Sequence, residues 1–157
     1  MTFDPVDQHI LSILRADGRA SHAAIAKAVG LSAPAVGERV RKLEQGGVIR
    51  SYRAVFDPDA LGLPICAFVA IIPQPRNPAA NLVENLAALP EVEELHAVAG
   101  DYSYVAKVRV GSTQDLDAFL DRLVVLDGVE RTQTTMVLRT SLERPMHLPF
   151  TPAPALE

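Results

Sequence analysis

The residues best suited to chemistry lie between positions 32 and 42, where cationic and small side chains are mixed. Arg39, Arg41 and Lys42 can reach phosphates or the edges of guanine bases. Ser32 can cap a helix whose free backbone amides meet a phosphate. The set that would face DNA is Ser32, Ala33, Ala35, Gly37, Glu38, Arg39, Arg41 and Lys42. This pattern predicts a helix that contacts double-stranded DNA.

The distribution of charge favours the same interpretation, although the whole chain has a formal net charge of -4. Residues 1–53 hold eight Arg or Lys and five Asp or Glu, a net charge of +3, whereas residues 54–157 carry −7. A basic segment joined to an acidic remainder is expected when one part contacts phosphate. A plain three-helix bundle with a solvated basic face would show the same charge and stays an alternative.

Other kinds of chemistry find no support in the sequence. The single cysteine, Cys66, excludes an intrachain disulfide and a cysteine-based zinc site. The four histidines are scattered, and their spacing resembles no metal site. We find no nucleophile elbow and no phosphate-binding loop. We therefore expect a protein that is not an enzyme and that uses no cofactor and no metal.

Localisation follows from what the sequence lacks. No apolar run approaches the ~18 residues that a membrane helix needs. The N-terminal residues MTFDPVDQ are acidic, unlike a secretion signal. One unpaired cysteine suits a reducing compartment. We expect a cytoplasmic protein that does not contact a membrane.

Three short helices are predicted to position the cationic residues. Each begins at a side chain that can cap it and ends at glycine; the caps are Asp4, Ser21 and Ser32, and the glycines are Gly18, Gly30 and Gly46-Gly47. A tight turn at Gly30 between the second and third helices is typical of a helix-turn-helix. Residues 48–56 then alternate apolar and polar side chains, which predicts a strand.

The second half of the chain predicts two helices among four strands. The strands are 64–73, 93–99, 102–110 and 129–139, and the helices are 81–89 and 113–126, with Thr113 as the cap of the second. The order βαββαβ is the ferredoxin-like arrangement. Residues 66–72 are apolar on both faces, so one face needs a partner and we expect assembly of at least a dimer.

Domain boundaries follow from these elements. We expect a DNA-binding domain at 1–53, a linker strand and turn at 54–62, an assembly and effector-sensing domain at 63–142, and a proline-rich tail at 143–157.

A set of motifs makes the sequence resemble a known family. In the first half they are Gly18-Arg19, Ala26, Val29-Gly30-Leu31-Ser32, Arg39, Leu43-Glu44, Gly47-Val48-Ile49, Tyr52 and Leu61-Gly62. In the second half they are AGDYSYVAKVRV (99–110) and LDGVERTQTTMVL (126–138). With these, the chain resembles the leucine-responsive regulatory protein (Lrp/AsnC, feast/famine) family. The resemblance implies an α+β protein, a winged helix-turn-helix followed by a ferredoxin-like RAM/ACT-like domain.

The resemblance also implies a function. It indicates a sequence-specific transcriptional regulator that forms dimers, and tetramers of dimers or octamers, and that binds a free amino acid between dimers. The effector-binding candidates carried over are Gly100, Asp101, Tyr102, Ser103, Thr132 and Thr134. The family usually has Asp where this chain has Ser103, so the ligand differs, binds weakly or is absent.

Alternatives remain open for these residues and for the function. Gly100 and Asp101 suit a simple hairpin turn, Tyr102 suits sheet packing, and Thr132 and Thr134 suit an ordinary strand. As a whole, the chain could be a DNA-packaging protein or an effector-independent regulator with low sequence specificity. It could also be a metabolite sensor that no longer binds DNA.

Overall fold

The computed structural model describes residues 3–74 and 81–150. The elements are α1 (Pro5–Ala16), α2 (His22–Val29), α3 (Ala33–Gln45), β1 (Ile65–Pro73), α4 (Leu82–Ala87), β2 (Val92–Ala97), β3 (Tyr104–Val110), α5 (Thr113–Val124) and β4 (Val129–Met136). This is the predicted order. The described residues form two compact units: one covers 3–55 and 142–150, and the other lies within 56–141.

The first three helices begin at the predicted caps. The side chains of Asp4, Ser21 and Ser32 accept hydrogen bonds from the backbone N–H three residues later, at 2.8, 3.2 and 3.3 Å. Such bonds satisfy amides that have no partner inside the helix. Gly30 ends α2 in the left-handed region (φ 69°, ψ 33°), where a Cβ would be strained. The predicted helix-turn-helix is therefore present.

An apolar cluster holds these helices together. Its buried members are Ile10, Leu11, Ile25, Ala26, Val29, Val36, Val40 and Leu43. Leu148 and Phe150 from the C-terminal segment pack against the same cluster. The Phe150 ring meets Phe3 edge to face, with centroids 6.1 Å apart. The described part of the predicted tail, 143–150, thus contributes to the N-terminal unit, and 151–157 lie outside the described residues.

The strand predicted over 48–56 is wrong. Residues 50–56 adopt no regular structure, and no strand of the described residues pairs with them. Val55 is 96% exposed and Phe56 is 69% exposed. A strand needs a neighbour that accepts its backbone hydrogen bonds, so alternation alone does not form one.

The second unit is one antiparallel sheet with the strand order β2-β3-β1-β4. One face is buried under α4 and α5, where Ala67, Val69 and Ile71 of β1 join Leu86 and Phe119 in a single apolar cluster. The predicted Thr113 cap is off by one residue, because Ser112 caps α5 through the N–H of Asp115.

The opposite face of the sheet is part apolar and part ionic. Phe68 at its centre lies beside Lys107 of β3 and is 43% exposed. Lys107 Nζ lies 3.3 Å from carboxylate oxygens of both Glu93 and Glu94, and the Arg109 guanidinium pairs with Glu93 at 2.5 Å. Ion pairs therefore border the apolar centre of this face. Among the described residues, no helix is long and apolar enough to cross a membrane.

Candidate functional site

Helix α3 has a buried side and an exposed side. Val36, Val40 and Leu43 are buried in the N-terminal unit. The predicted DNA-facing residues lie on the rest of the helix: Ser32, Glu38, Arg41 and Lys42 are exposed, and Ala33, Ala35, Gly37 and Arg39 are half-buried. The exposed side thus presents charged groups beside small side chains, as expected of a helix that enters the major groove.

Arg39 is engaged within the protein. Its guanidinium Nη1 lies 2.6 Å from Asp4 Oδ2 and 2.7 Å from Asp7 Oδ1, both in the N-terminal turn of α1. Hydrogen bonds to Asp4 and then Asp7 raise the pKa of Arg39 above its ordinary value. The backbone N–H of Asp7, and then Arg39, lower the pKa of Asp4. Arg39, which the sequence places among the DNA contacts, thus ties α3 to α1.

Glu38 engages the other two cations of α3. Arg41 donates from Nη2 to Glu38 Oε1 at 2.7 Å and from Nε to Oε2 at 3.0 Å. Lys42 Nζ lies 3.8 Å from the same carboxylate. The hydrogen bonds from Arg41 lower the pKa of Glu38, so this carboxylate is ionised at neutral pH. All three side chains are about half exposed or more, at 48–69%.

The close approach of α2 and α3 depends on Gly37. A Cβ at this position would lie 3.2 Å from Nδ1 of His22, the first residue of α2. Because glycine has no side chain, the imidazole of His22 can lie against α3. His22 was not among the predicted contacts, since its place at α3 depends on how the two helices pack.

An open groove of about 550 Å³ lies beside α3 in the same unit. Its wall includes Asp7 from α1 and Glu38, Arg39 and Lys42 from α3. These four charged residues thus border one groove. Among the described residues, no group of three or more His, Cys, Asp or Glu side chains is arranged to hold a metal ion.

The predicted effector residues 100–103 form the turn between β2 and β3. Gly100 has φ 137°, with nothing within 4 Å of where a Cβ would be. The backbone of Ser103 fixes the turn: its N–H donates to Ile71 at 3.2 Å, and its carbonyl accepts from Val98 at 3.0 Å. Asp101 is exposed, and its carboxylate has no hydrogen-bond partner in the described part of the chain. It is therefore available to an ammonium group.

The structure does not bring all six effector candidates together. Thr132 and Thr134 pair with Ile71 and Val69, so they lie on the helix-covered face of the sheet. Tyr102 instead donates its hydroxyl to Gln133 Oε1 at 2.7 Å. Gln133 was not among the predicted effector residues, although alternation along β4 places its side chain on the opposite face from its two threonine neighbours.

Comparisons with known proteins cover both units. A family model described as the AsnC-type helix-turn-helix domain matches residues 3–44. A second, described as the Lrp/AsnC ligand binding domain, matches residues 66–146. Together they span most of the chain.

Individual relatives match over nearly their whole length. The chain is 38% identical to the HTH-type transcriptional regulator FL11 of Pyrococcus horikoshii, over 89% of this chain and 92% of that protein. It is 39% identical to the HTH-type transcriptional regulator LrpA of Mycobacterium tuberculosis, over 93% and 97%. A Neisseria meningitidis transcriptional regulator, solved as a complex with L-Met, has a TM-score of 0.87 at 25% identity, over 94% of this chain and 97% of that chain.

Proposed function

Because the chain belongs to the Lrp/AsnC family of DNA-binding transcriptional regulators, we propose that α3 is its recognition helix and that a free amino acid is its effector. The expected absence of catalysis agrees with this family, whose members are regulators. We place its site of action in the cytoplasm, where DNA and free amino acids occur together.

The exposed side of α3 is the observation that carries the DNA proposal. Arg41 and Lys42 lie there with Glu38. The opposite side of α3 carries its three buried residues, Val36, Val40 and Leu43. Ser32 caps the N-terminus, where backbone amides favour an anion. In this proposal α3 contacts DNA through Ser32, Ala33, Ala35, Glu38, Arg41 and Lys42, and Arg39 holds the helix in place.

A gel-shift titration with a duplex from upstream of the protein's own gene tests this proposal. Arg41→Ala with Lys42→Ala should weaken binding about tenfold or more, because each base contact contributes about 1–3 kcal/mol. Arg122→Ala, in the second unit, is the control and should bind like wild type. If the double variant also binds like wild type, α3 is not the recognition helix. Equal wild-type affinity for unrelated duplexes would indicate a DNA-packaging protein instead.

The effector proposal places the amino acid at the 100–103 turn. Consecutive backbone N–H groups near Gly100 and Asp101 could receive its carboxylate, and the free Asp101 carboxylate could pair with its ammonium group. Tyr102 and Gln133, already hydrogen-bonded to each other, supply polar atoms beside the turn. The L-Met complex of the Neisseria meningitidis relative supports this ligand class.

Calorimetry with a panel of amino acids tests the placement. Binding of one amino acid by wild type and at least tenfold weaker binding by Asp101→Ala would support it. Asp127→Ala, elsewhere on the second unit, is the control. Binding that Asp101→Ala leaves unchanged would place the ligand elsewhere, and no binding at millimolar concentration would indicate a regulator that needs no free amino acid.

Assembly completes the proposal. We infer a homodimer formed through the second unit, and tetramers of dimers in which the effector lies between dimers. Ligand binding there would change the spacing of the DNA-binding units. Because such coupling is reciprocal, DNA would change effector affinity by the same factor.

A further inference from the structure

The cations of α3 are balanced by carboxylates of the same unit. Arg39 lies between Asp4 and Asp7, and Arg41 and Lys42 share Glu38. These six side chains carry three positive and three negative charges. This cluster therefore brings no net positive charge to DNA, although the unit as a whole is basic.

The positive charge of the unit lies elsewhere. Five cations of residues 1–53 stand outside α3: Arg15, Arg19, Lys27, Arg50 and Arg53. All five are exposed, and none has a carboxylate partner in the described part of the chain. The only other acids of this segment are Asp17 and Glu44, so these five cations account for its net charge of +3. The cations that no carboxylate balances, and that would attract phosphate, therefore lie outside α3.

We propose that Glu38 is a specificity-determining residue of α3, a step that rests on the proposed role of α3 as recognition helix. A carboxylate repels phosphates, and in the major groove it can accept a hydrogen bond from the N4 amino group of cytosine. Glu38 also lies beside Arg41 and Lys42, so its negative charge offsets theirs at the phosphates of any sequence.

The exchange of partners at a matching site follows from the geometry. The Glu38–Arg41 pair is exposed and weak, so little is lost when it opens. Where a cytosine amino group meets Glu38, the carboxylate gains a new donor and Arg41 is released to donate to guanine or phosphate. Opposite guanine or thymine, Glu38 keeps Arg41 and faces a base edge that offers no hydrogen-bond donor, and adenine offers its N6 amino group only beside the N7 acceptor. A sequence with guanine or thymine at that position is therefore disfavoured for two reasons: Glu38 gains no hydrogen bond, and Arg41 is not released to the DNA.

The test is selection from a randomised duplex pool with wild type and with Glu38→Gln, followed by titration of one wild-type-selected duplex and of the unselected pool. Glu38→Gln should bind the unselected pool severalfold more tightly and the selected duplex severalfold more weakly, because a neutral amide oxygen is a weaker acceptor than a carboxylate. One cytosine position should lose its preference. Glu44→Gln, which changes the α3 carboxylate bonded to Tyr52, is the matched control and should select the wild-type sequence.

The remaining outcomes decide against the proposal. If Glu38→Gln changes both affinities by the same factor, Glu38 acts only through its charge. If it selects the wild-type sequence with wild-type affinity, Glu38 has no part in recognition. In both cases Arg41→Ala with Lys42→Ala would still weaken DNA binding. If that double variant binds like wild type, the recognition-helix proposal itself is wrong.

Discussion

Arg39 shows how a side chain predicted to contact DNA can be engaged inside the protein. Its guanidinium bridges two carboxylates in the N-terminal turn of α1. The two ion pairs therefore help to hold one side of α3 against α1. Exposed ion pairs contribute about 0.2–1 kcal/mol each. Two such pairs would stabilise the unit modestly, but they also set the orientation of the helix that carries Glu38 and Arg41.

A charge exchange tests the role of Arg39. Arg39→Asp should destabilise the unit by about 1–2 kcal/mol, because it removes two pairs and adds a third carboxylate to the cluster. Combining it with Asp7→Arg should recover much of the stability and the DNA affinity, as measured by denaturant unfolding and gel shift. Arg39→Asp with Asp17→Arg has the same net charge but no new pair, and should recover neither.

The two possible roles of Arg39 give opposite results in that exchange. A direct phosphate contact would be lost in every variant that lacks Arg39, whatever residue stands at position 7. DNA binding that stays weak in the paired exchange while stability recovers would therefore show that Arg39 contacts DNA.

The sequence predicted the place of Arg39 on α3 but not its partners. The apolar residues Val36, Val40 and Leu43 are spaced along one side of α3 and are buried, so they orient the helix. Asp4 and Asp7 precede Arg39 by 35 and 32 positions. No local pattern indicates which acids the packing of α1 on α3 will bring to it. Gln133 was missed for a related reason, because its contact with Tyr102 spans 31 positions.

At the scale of elements, the cap signals of the first three helices were reliable, whereas the strand signal over 48–56 was not. Asp4, Ser21 and Ser32 cap their helices as predicted, because a cap involves only the next few residues. The alternation over 48–56 was equally clear, yet no strand forms, because a strand depends on a neighbour that no local pattern specifies.

The C-terminal segment shows another limit of local patterns. Its prolines predict irregular backbone, and residues 142–150 contain no helix or strand. Composition does not reveal that Leu148 and Phe150 pack on the N-terminal cluster, since that depends on the path of the chain. This segment makes the N-terminal unit discontinuous in sequence.

We expect Phe150→Ala to destabilise the N-terminal unit. Removing the half-buried ring, which packs edge to face on Phe3, should cost about 1–2 kcal/mol. Hydrogen exchange of the α1 amides measures the free energy of opening in that unit alone. Met146→Ala, which removes a side chain that is 80% exposed, should leave this exchange unchanged. Equal exchange in the two variants would show that the segment does not stabilise the unit.

At the scale of the whole molecule, the sheet face opposite α4 and α5, where Phe68 is 43% exposed, is the surface through which we expect two copies to associate. Cys66, Phe68, Ala70 and Ile72 follow one another along this face of β1. Ion pairs of Lys107 and Arg109 border them, and such pairs can fix the register of two facing surfaces. Two copies that bring these faces together would bury the apolar centre and keep the charges paired.

Phe68→Asp tests this assembly, because it places a charge at the centre of the proposed interface. An unpaired buried charge is strongly unfavourable, so the variant should be a monomer at micromolar concentration, where wild type should be a dimer or larger by light scattering. Val83→Asp is the matched control: Val83 lies on α4, and both side chains are 43% exposed. It should keep the wild-type mass. If Phe68→Asp remains assembled while Val83→Asp does not, the copies associate through the helical layer and the face around Phe68 is free.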